Sequence, residues 1–442
     1  MSPSDPWKGK RVVLGVCGGI AAYKAVQIAR DLTLLGATVD VVLSEAARQF
    51  VAPLSFEGVT GRGPLIDLFA VGGAALHVTL GRDADCVCVA PATADLIARA
   101  ASGRASDLLT TVLVASDAPV VVAPAMNKRM FAHSRTEANL ARLTDDLGYR
   151  RVGPASGRLA AGEGSGPGRM AEPGAIVDAV GRALGGGGAL DGARVVVTAG
   201  PTREAVDAVR FVGNRSSGKM GYALARTSWL RGAEVTLITG PAAVAAPYGV
   251  KVRGVETALE MRDAVLAEVG EADVAIHAAA VADYRPVSPS ADKIKRGVAE
   301  EELIVRMVAN PDIATESARL MKAGSVSAGF ALETADLVER AGEKLAAKGF
   351  DLIVANRAGE ADAGFDTDTN RVTILGRDMP PRQLPLMSKF AVAGSIMDLI
   401  EDRLRQGGRG GVDVPAGWRR TWSNGGEWAS RDSFPRVSNR GS

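Results

Sequence analysis

Apolar and polar positions along the chain follow two alternating signatures. Short β-branched runs end in glycine, and longer stretches then place apolar residues every three or four positions. Arg11–Val16 reads as a buried strand, Gly19–Leu35 as a helix with a polar face, and Thr38–Leu43 as strand again. Cys86–Ala90 and Val120–Ala123 are apolar runs too brief for helices, whereas Thr93–Ala101 and Ser106–Ala115 carry helical spacing. Such alternation builds a parallel, doubly wound sheet, with ligands at the carboxyl ends of its strands. The strand ends are Gly15–Gly19, Ala90–Thr93 and Ala123–Asn127.

The pattern breaks at Gly153–Arg169, a Gly-, Ser-, Pro- and Ala-rich stretch without a core stripe, which reads locally as a mobile loop or linker. A helix follows at Pro173–Leu184, and Gly185–Gly188 marks a domain boundary. The second half restarts the theme. Gly192-Ala193-Arg194-Val195-Val196 echoes Gly9-Lys10-Arg11-Val12-Val13, and Gly232-Ala233-Glu234-Val235 echoes Gly36-Ala37-Thr38-Val39. Further strands are expected at Asp273–Ala278, Ser325–Phe330 and Asp351–Val354, and helices at Pro311–Met321, Ala335–Lys348 and Leu384–Leu404. The expected fold is α/β, with two Rossmann-like doubly wound parallel-sheet domains in tandem. They span 9–184 and 192–404, with a Gly-rich linker at 185–191 and a disordered tail at 405–442.

Composition narrows the classes of function. With 442 residues, the chain is too long for one ordinary core. A net charge of +2 gives no basic patch to argue for nucleic acid, and 5% aromatics count against base-stacking binders. No apolar run is long enough to span a bilayer, and Met1–Lys10 lacks the apolar core of a signal peptide. Cys17, Cys86 and Cys88 have no metal-site spacing, and the last two alternate within a strand as core filler. The expectation is a cytoplasmic protein that binds neither nucleic acid nor membrane.

The most informative stretch runs from Val196 to Gly221, VVTAGPTREAVDAVRFVGNRSSGKMG. A strand feeds a helix through a polar loop, and the free N–H groups at a helix start favour an anion. Gly213, four residues, then Gly218-Lys219 nearly spells a P-loop. Met220 stands where the magnesium-binding hydroxyl belongs, so the P-loop reading is rejected and the anion site kept. Elsewhere Gly15–Ile20 forms a glycine turn, and Ala90–Asp95 puts a Thr and an Asp where helix caps belong. His77 sits beside apolar residues, where a lone His is more often structural. Asn127, at a strand end, suits either a carboxylate or its own backbone.

Taken together these pieces resemble a known family. They are GGIAAYK (Gly18–Lys24), ALHVTL (Ala75–Leu80), APATADLI (Ala90–Ile97), PAMNKRM (Pro124–Met130), GPTRE (Gly200–Glu204), NRSSGKMG (Asn214–Gly221), AAVADYRP (Ala279–Pro286), KIK (Lys293–Lys295), NPDI (Asn310–Ile313) and GFALET (Gly329–Thr334). Over residues 9–403 the chain resembles the bifunctional phosphopantothenoylcysteine decarboxylase/phosphopantothenate–cysteine ligases of coenzyme A synthesis.

The resemblance implies an FMN site formed by Gly18, Gly19, Ile20, Ala90, Pro91, Thr93, Ser106 and Met126. It implies that His77 acts beside the reacting carbons and thiol, and that Asn127 binds the substrate carboxylate. The family's flap carries a Cys as proton donor. Here Ala160–Met170 keeps the frame, is one residue longer and has no Cys, which leaves Glu163 as the candidate acid. In the second half the resemblance implies ligation of cysteine to 4′-phosphopantothenate through an acyl-cytidylate, with Mg²⁺ accompanying CTP and metal ligands unassigned. Asn214 would contact the acyl-cytidylate, and Lys293 would neutralise transition-state charge. His277, Ala278, Ala279, Asp283, Lys293, Pro311, Asp312, Ile313, Ala314, Phe330, Lys344 and Lys348 would surround CTP. Without the resemblance, Lys344 and Lys348 read as a solvated helix face. Implied too is a homo-oligomer of trimeric decarboxylase and dimeric ligase units, joined in a dodecamer. Two alternatives stay open. One is a ligase whose first half is inactive or releases an enethiol. The other is a phosphatase-binding regulator, which the intact ligase motifs argue against.

Overall fold

The computed structural model describes residues 5–69, 75–159, 162, 164–295, 302–333, 336–357, 359, 362, 364 and 366–407. The expected tail from 408 onward lies outside them. In the first half the strands are β1 (Arg11–Val16), β2 (Thr38–Leu43), β3 (Cys86–Ala92), β4 (Val120–Pro124) and β5 (Arg150–Arg151). They form a parallel sheet in the order β2-β1-β3-β4-β5. Both faces are buried, as parallel sheets require. Val12, Leu14, Cys86 and Cys88 pack with α1 (Ala22–Leu34) on one face. Val13, Val87 and Val89 face the other, which holds α2 (Leu76–Asp83), α3 (Ala94–Ala101) and α4 (Leu108–Ala115). All three thiols are buried and unbonded, and burial pushes Cys17 and Cys86 up to about 12.

The glycine-rich stretch is not a linker. Ala155–Arg158 (β6) pairs antiparallel with Ser165–Arg169 (β7) beside the end of β4. Met126 N–H donates to Gly168 O at 3.0 Å and fixes the pair there. The helix α5 (Pro173–Gly185) then returns to the core through Ile176 and Val180.

The second sheet contains β8 (Arg194–Ala199), β9 (Glu234–Thr239), β10 (Lys251–Gly254), β11 (Val274–His277), β12 (Val326–Glu333), β13 (Leu352–Arg357), β14 (Thr373–Gly376) and β15 (Met379–Gln383). Their order is β10-β9-β8-β11-β12-β13-β14-β15. The first six are parallel and the last two antiparallel. Helices α6 (Lys219–Leu230), α7 (Ala258–Val269), α8 (Ile313–Ala318), α9 (Leu337–Lys348) and α10 (Lys389–Gly407) complete the layers.

Several expected boundaries shift. The final helix begins at Lys389, not Leu384, because Met379–Gln383 adds an antiparallel edge strand and Pro385 resists helix. Its sequence alternation is interrupted by two prolines, which hid it. Helix α8 is shorter than Pro311–Met321 because Asp312 caps it, accepting from Thr315 N at 3.2 Å. Asp107 and Thr110 form a capping box, so α4 starts two residues beyond Ser106.

The domain boundary is packed. Helix α5 runs against α6, and a side chain at Gly181 would collide with Trp7 at 2.5 Å and Leu230 at 2.9 Å. Arg182 donates to the carbonyls of Trp229 at 2.6 Å, Gly232 at 2.8 Å and Ala233 at 2.9 Å. It thereby caps the C-terminal end of α6, where a cation is favoured. Asp178 pairs with Arg226 beside it.

Candidate active sites at two strand ends

The first sheet's order reverses between β1 and β3, and in the 2-1-3-4-5 arrangement that switch point is a ligand crevice. The turn after β1 carries Gly18, Gly19 and Ile20, and α1 begins at Ala22. The turn after β3 carries Thr93, whose hydroxyl accepts from Leu96 N at 3.4 Å, so its expected capping role holds. Cys17 N–H donates to Pro91 O at 3.3 Å and ties the two turns together. Arg99 gathers Asp95, Ser106 and Asp107 around the start of α4. Ala90, Pro91, Ser106 and Met126 therefore sit on the same rim of the sheet as the glycine turn. Ile20 is 69% exposed there, an apolar residue with no cover.

His77 lies in the first turn of α2, with Nδ1 buried and without a hydrogen-bond partner among the described residues. An orphaned buried nitrogen is costly in an empty site and useful beside a ligand. Asn127 follows β4, and its Oδ1 accepts from Arg129 N at 2.8 Å. The backbone reading of Asn127 is thus satisfied by the oxygen, and the amide NH₂ is the group left to meet a carboxylate. Glu163 lies outside the described residues.

The second sheet has the order 3-2-1-4-5-6 across its parallel strands, and it reverses between β8 and β11. A cavity of about 280 Å³ opens there. Of the residues expected around CTP, His277, Ala279, Asp283, Pro311, Asp312, Ile313, Ala314, Phe330, Lys344 and Lys348 all line it. A second cavity of about 340 Å³ adjoins it and takes in Asn214, Ala278 and the start of α6, Ser216–Gly221. Ala279, Val281, Phe330 and Lys344 belong to both walls. Lys293 is exposed and lines neither of these two cavities. Its neighbour Ile294 is anchored elsewhere, with N–H on Asp207 at 3.1 Å and the carbonyl on Arg210 at 2.7 Å.

The loop between β11 and Asp283 is held by hydroxyls that the sequence did not single out. Thr198 accepts from Ala279 N at 3.2 Å, and Thr202 accepts from Ala282 N at 3.0 Å. Asn214 donates to Ala280 O at 3.0 Å. Gly218 takes a left-handed φ of +78° and brings the α6 start close to Gly200. Lys219 lines the second cavity too, with its ammonium bound to Asp366 O at 2.7 Å and Asp368 at 2.8 Å. Met261 and Phe350 also line the first cavity, unflagged because they come from distant elements.

Lys344 and Lys348 share one face of α9, and that face lines the first cavity. Burial and the neighbouring Lys348 hold Lys344 below its ordinary pKa. Asp312 pairs with Lys348 at 3.2 Å. Two like charges at this spacing repel unless an anion sits between them.

Comparison with known proteins places both halves. Residues 1–185 match the Flavoprotein family, and residues 190–404 match the DNA/pantothenate metabolism flavoprotein C-terminal domain. The Coenzyme A biosynthesis bifunctional protein CoaBC of Vibrio cholerae is 44% identical over 399 residues, covering 90% of this chain and 99% of that protein. Its Escherichia coli counterpart is 43% identical, over 89% of this chain and 97% of that one. The crystal structure of the C-terminal domain of a protein of that name is 39% identical and covers 50% of this chain and all 100% of its own, with a TM-score of 0.43. Fold and sites together define a two-domain enzyme, a flavoprotein decarboxylase domain followed by a ligase domain. The chain belongs to the bifunctional proteins of coenzyme A biosynthesis.

Among the described residues no helix is long and apolar enough to cross a membrane.

Proposed function

We propose that the second half ligates cysteine to 4′-phosphopantothenate with CTP, and that the first half decarboxylates the product with FMN. The carrying observation is the pair of adjoining cavities that share Lys344. A carboxylate must meet an α-phosphate for activation, and a wall common to two cavities is where two ligands meet. CTP occupies the cavity with Lys344 and Lys348; Lys344, on the wall common to both cavities, neutralises the triphosphate as pyrophosphate leaves, while Lys348 is paired with Asp312. The 4′-phosphopantothenate occupies the cavity at the α6 start, where free N–H groups suit an anion. Asn214 holds the loop against which the acyl-cytidylate forms, and the cysteine amine then displaces CMP. Mg²⁺ arrives on the triphosphate. Among the described residues no group of three or more His, Cys, Asp or Glu could hold it alone. Lys293 is assigned to the reaction only on the resemblance, and Lys293→Gln tests it.

In the first half the residues fit a flavin: two helix starts at a switch point, an uncovered Ile20 and the orphaned His77 Nδ1. FMN, when bound, supplies the electron sink that a cysteine carboxylate lacks for loss of CO₂. His77 holds or relays the proton of the substrate thiol, and the Asn127 amide orients the carboxylate. Buried Cys17, pushed up to about 12, makes a poor acid, so Glu163 is assigned as proton donor. The exposed Ile20 and Tyr23 support a trimer closing over this rim, and exposed Val209 and Phe211 a dimer of second halves. Unbonded, buried thiols fit a cytoplasmic setting.

The test is anaerobic incubation of the purified protein with phosphopantothenoylcysteine. Formation of 4′-phosphopantetheine is expected. An accumulating enethiol with reduced flavin would show that the flap cannot return a proton, and Glu163→Gln should produce that state. For the ligase half, release of pyrophosphate and CMP must require 4′-phosphopantothenate and CTP together.

A further inference from the structure

The CTP reading leaves one question of chemistry, namely how a cavity tells cytosine from uracil. The two bases differ at position 4, where cytosine carries an amine that donates and uracil an oxygen that accepts. A discriminating group there must be an acceptor that cannot become a donor.

His277 ends β11 with its ring in the CTP cavity, 5.7 Å from the Phe350 ring. Its Nε2 lies 3.1 Å from Ser317 Oγ, and the same hydroxyl lies 2.9 Å from Ala314 O. The hydroxyl has one proton. Given to Nε2, it would leave two oxygen lone pairs facing at Ala314. Given to Ala314, it leaves Oγ free to accept, and Nε2 must then carry a hydrogen. The second arrangement satisfies every contact and leaves Nδ1 a lone-pair acceptor. No partner for Nδ1 exists among the described residues. Burial and nearby Lys348, opposed by Asp312, lower the pKa of this ring to about 4, so near neutrality Nδ1 stays unprotonated.

Position along the cavity follows from the chemistry of activation. The α-phosphate has to reach the wall shared by the two cavities, at Ala279, Val281, Phe330 and Lys344. The base then falls on the unshared wall beside His277, Met261 and Phe350, where Asp312 and Lys348 are paired with each other. Two flat or apolar groups beside one fixed acceptor suit a pyrimidine with an exocyclic amine.

We infer that His277, held in one tautomer by Ser317, reads the 4-amino group of cytosine through Nδ1 and sets the enzyme's preference for CTP over UTP. The inference rests on the CTP reading of this cavity. A uracil O4 would face the Nδ1 lone pair and leave two buried acceptors unpaired, a discrimination of roughly 10- to 100-fold in kcat/KM.

The test measures 4′-phosphopantothenate-dependent pyrophosphate release by the full chain with CTP, UTP and the 2-pyrimidinone riboside triphosphate, which lacks the amine. The intact protein should favour CTP over both. His277→Phe keeps the ring and removes the acceptor, so CTP should fall to the rate of the amine-free analogue and the preference over UTP should collapse. Ser317→Ala, which frees the tautomer, should erode the preference partway. A ¹⁵N spectrum of the unaltered protein provides a readout independent of turnover and of variant folding. The unprotonated Nδ1 resonance should move upfield on saturation with CTP and less so with UTP. An unmoved resonance, or a His277→Phe enzyme that keeps the full CTP preference, overturns the assignment. Failure of the unaltered protein to release pyrophosphate from CTP would instead remove the ligase reading beneath it.

Discussion

At the first switch point Ile20 stands 69% exposed, and His77 Nδ1 is buried without a partner among the described residues. At the second, His277, Phe330, Lys344 and Lys348 close on a cavity of about 280 Å³ within one chain. Both arise from the same layout, glycine turns at the carboxyl ends of a doubly wound sheet. The second sheet brings β11, β12 and α9 to its crevice, and these supply a far wall. The first has five strands, and the strand pair 155–158 and 165–169 is tied to its edge at Met126, after β4. A switch point becomes a finished site only when later elements cover it. An unfinished one displays apolar residues and unpaired polar atoms.

The comparison breaks or sharpens under four changes. The largest effect is expected from His77→Asn. If the orphaned nitrogen faces the reacting group, decarboxylation should fall about 10²- to 10⁴-fold while pyrophosphate release stays normal. Equal loss in both assays would mean that His77 is structural. Next, Lys344→Ala with Lys348→Ala removes two charge-assisted contacts, and CTP-dependent turnover should drop roughly 10²- to 10³-fold. The same protein should decarboxylate added phosphopantothenoylcysteine at the normal rate. A double variant with near-normal pyrophosphate release would return these lysines to a solvated face.

The third change is pH. The ordinary value of His277, 6.5, falls to about 4 in the folded chain. Between those values the unfolded chain takes up a proton that the fold refuses. Stability of the second half should therefore decline as pH drops from 6.5 to 4, by about 3 kcal/mol in all. Chemical denaturation at stepped pH measures this, and His277→Phe should flatten that part of the profile. The smallest effect concerns the seam. Arg182→Ala should cost about 2 kcal/mol and separate thermal unfolding into two transitions, since three carbonyls at the end of α6 lose their donor. A single unchanged transition would show that the α5–α6 packing couples the halves by itself.

Much of the second site was legible in advance. The NRSSGKMG and NPDI strings mark helix starts, and helix starts are local chemistry that a short sequence determines. Lys344 and Lys348 were legible only through the resemblance, because spacing on a helix says nothing about which face meets a cavity. Lys293 matched a motif and is carried by the resemblance alone: its neighbour Ile294 is held by Asp207 and Arg210, and Lys293 lines neither of the two cavities. Ser317 and Phe350 gave no signal at all, being ordinary residues on α8 and before β13.

By itself the sequence determined what is periodic or local: the parallel strands, the glycine turns, the capping residues and the buried thiols. Two-faced burial forces continuous apolar strands, and free N–H groups demand particular caps, so both leave marks on neighbouring residues. Tertiary structure alone decided what depends on distant segments meeting. It paired 155–158 with 165–169, added antiparallel strands to the second sheet, and locked α5 to α6 through Arg182. It also set His277 against Ser317, forty residues away. Those contacts come from packing free energy summed over the whole domain, which no single stretch of the chain encodes.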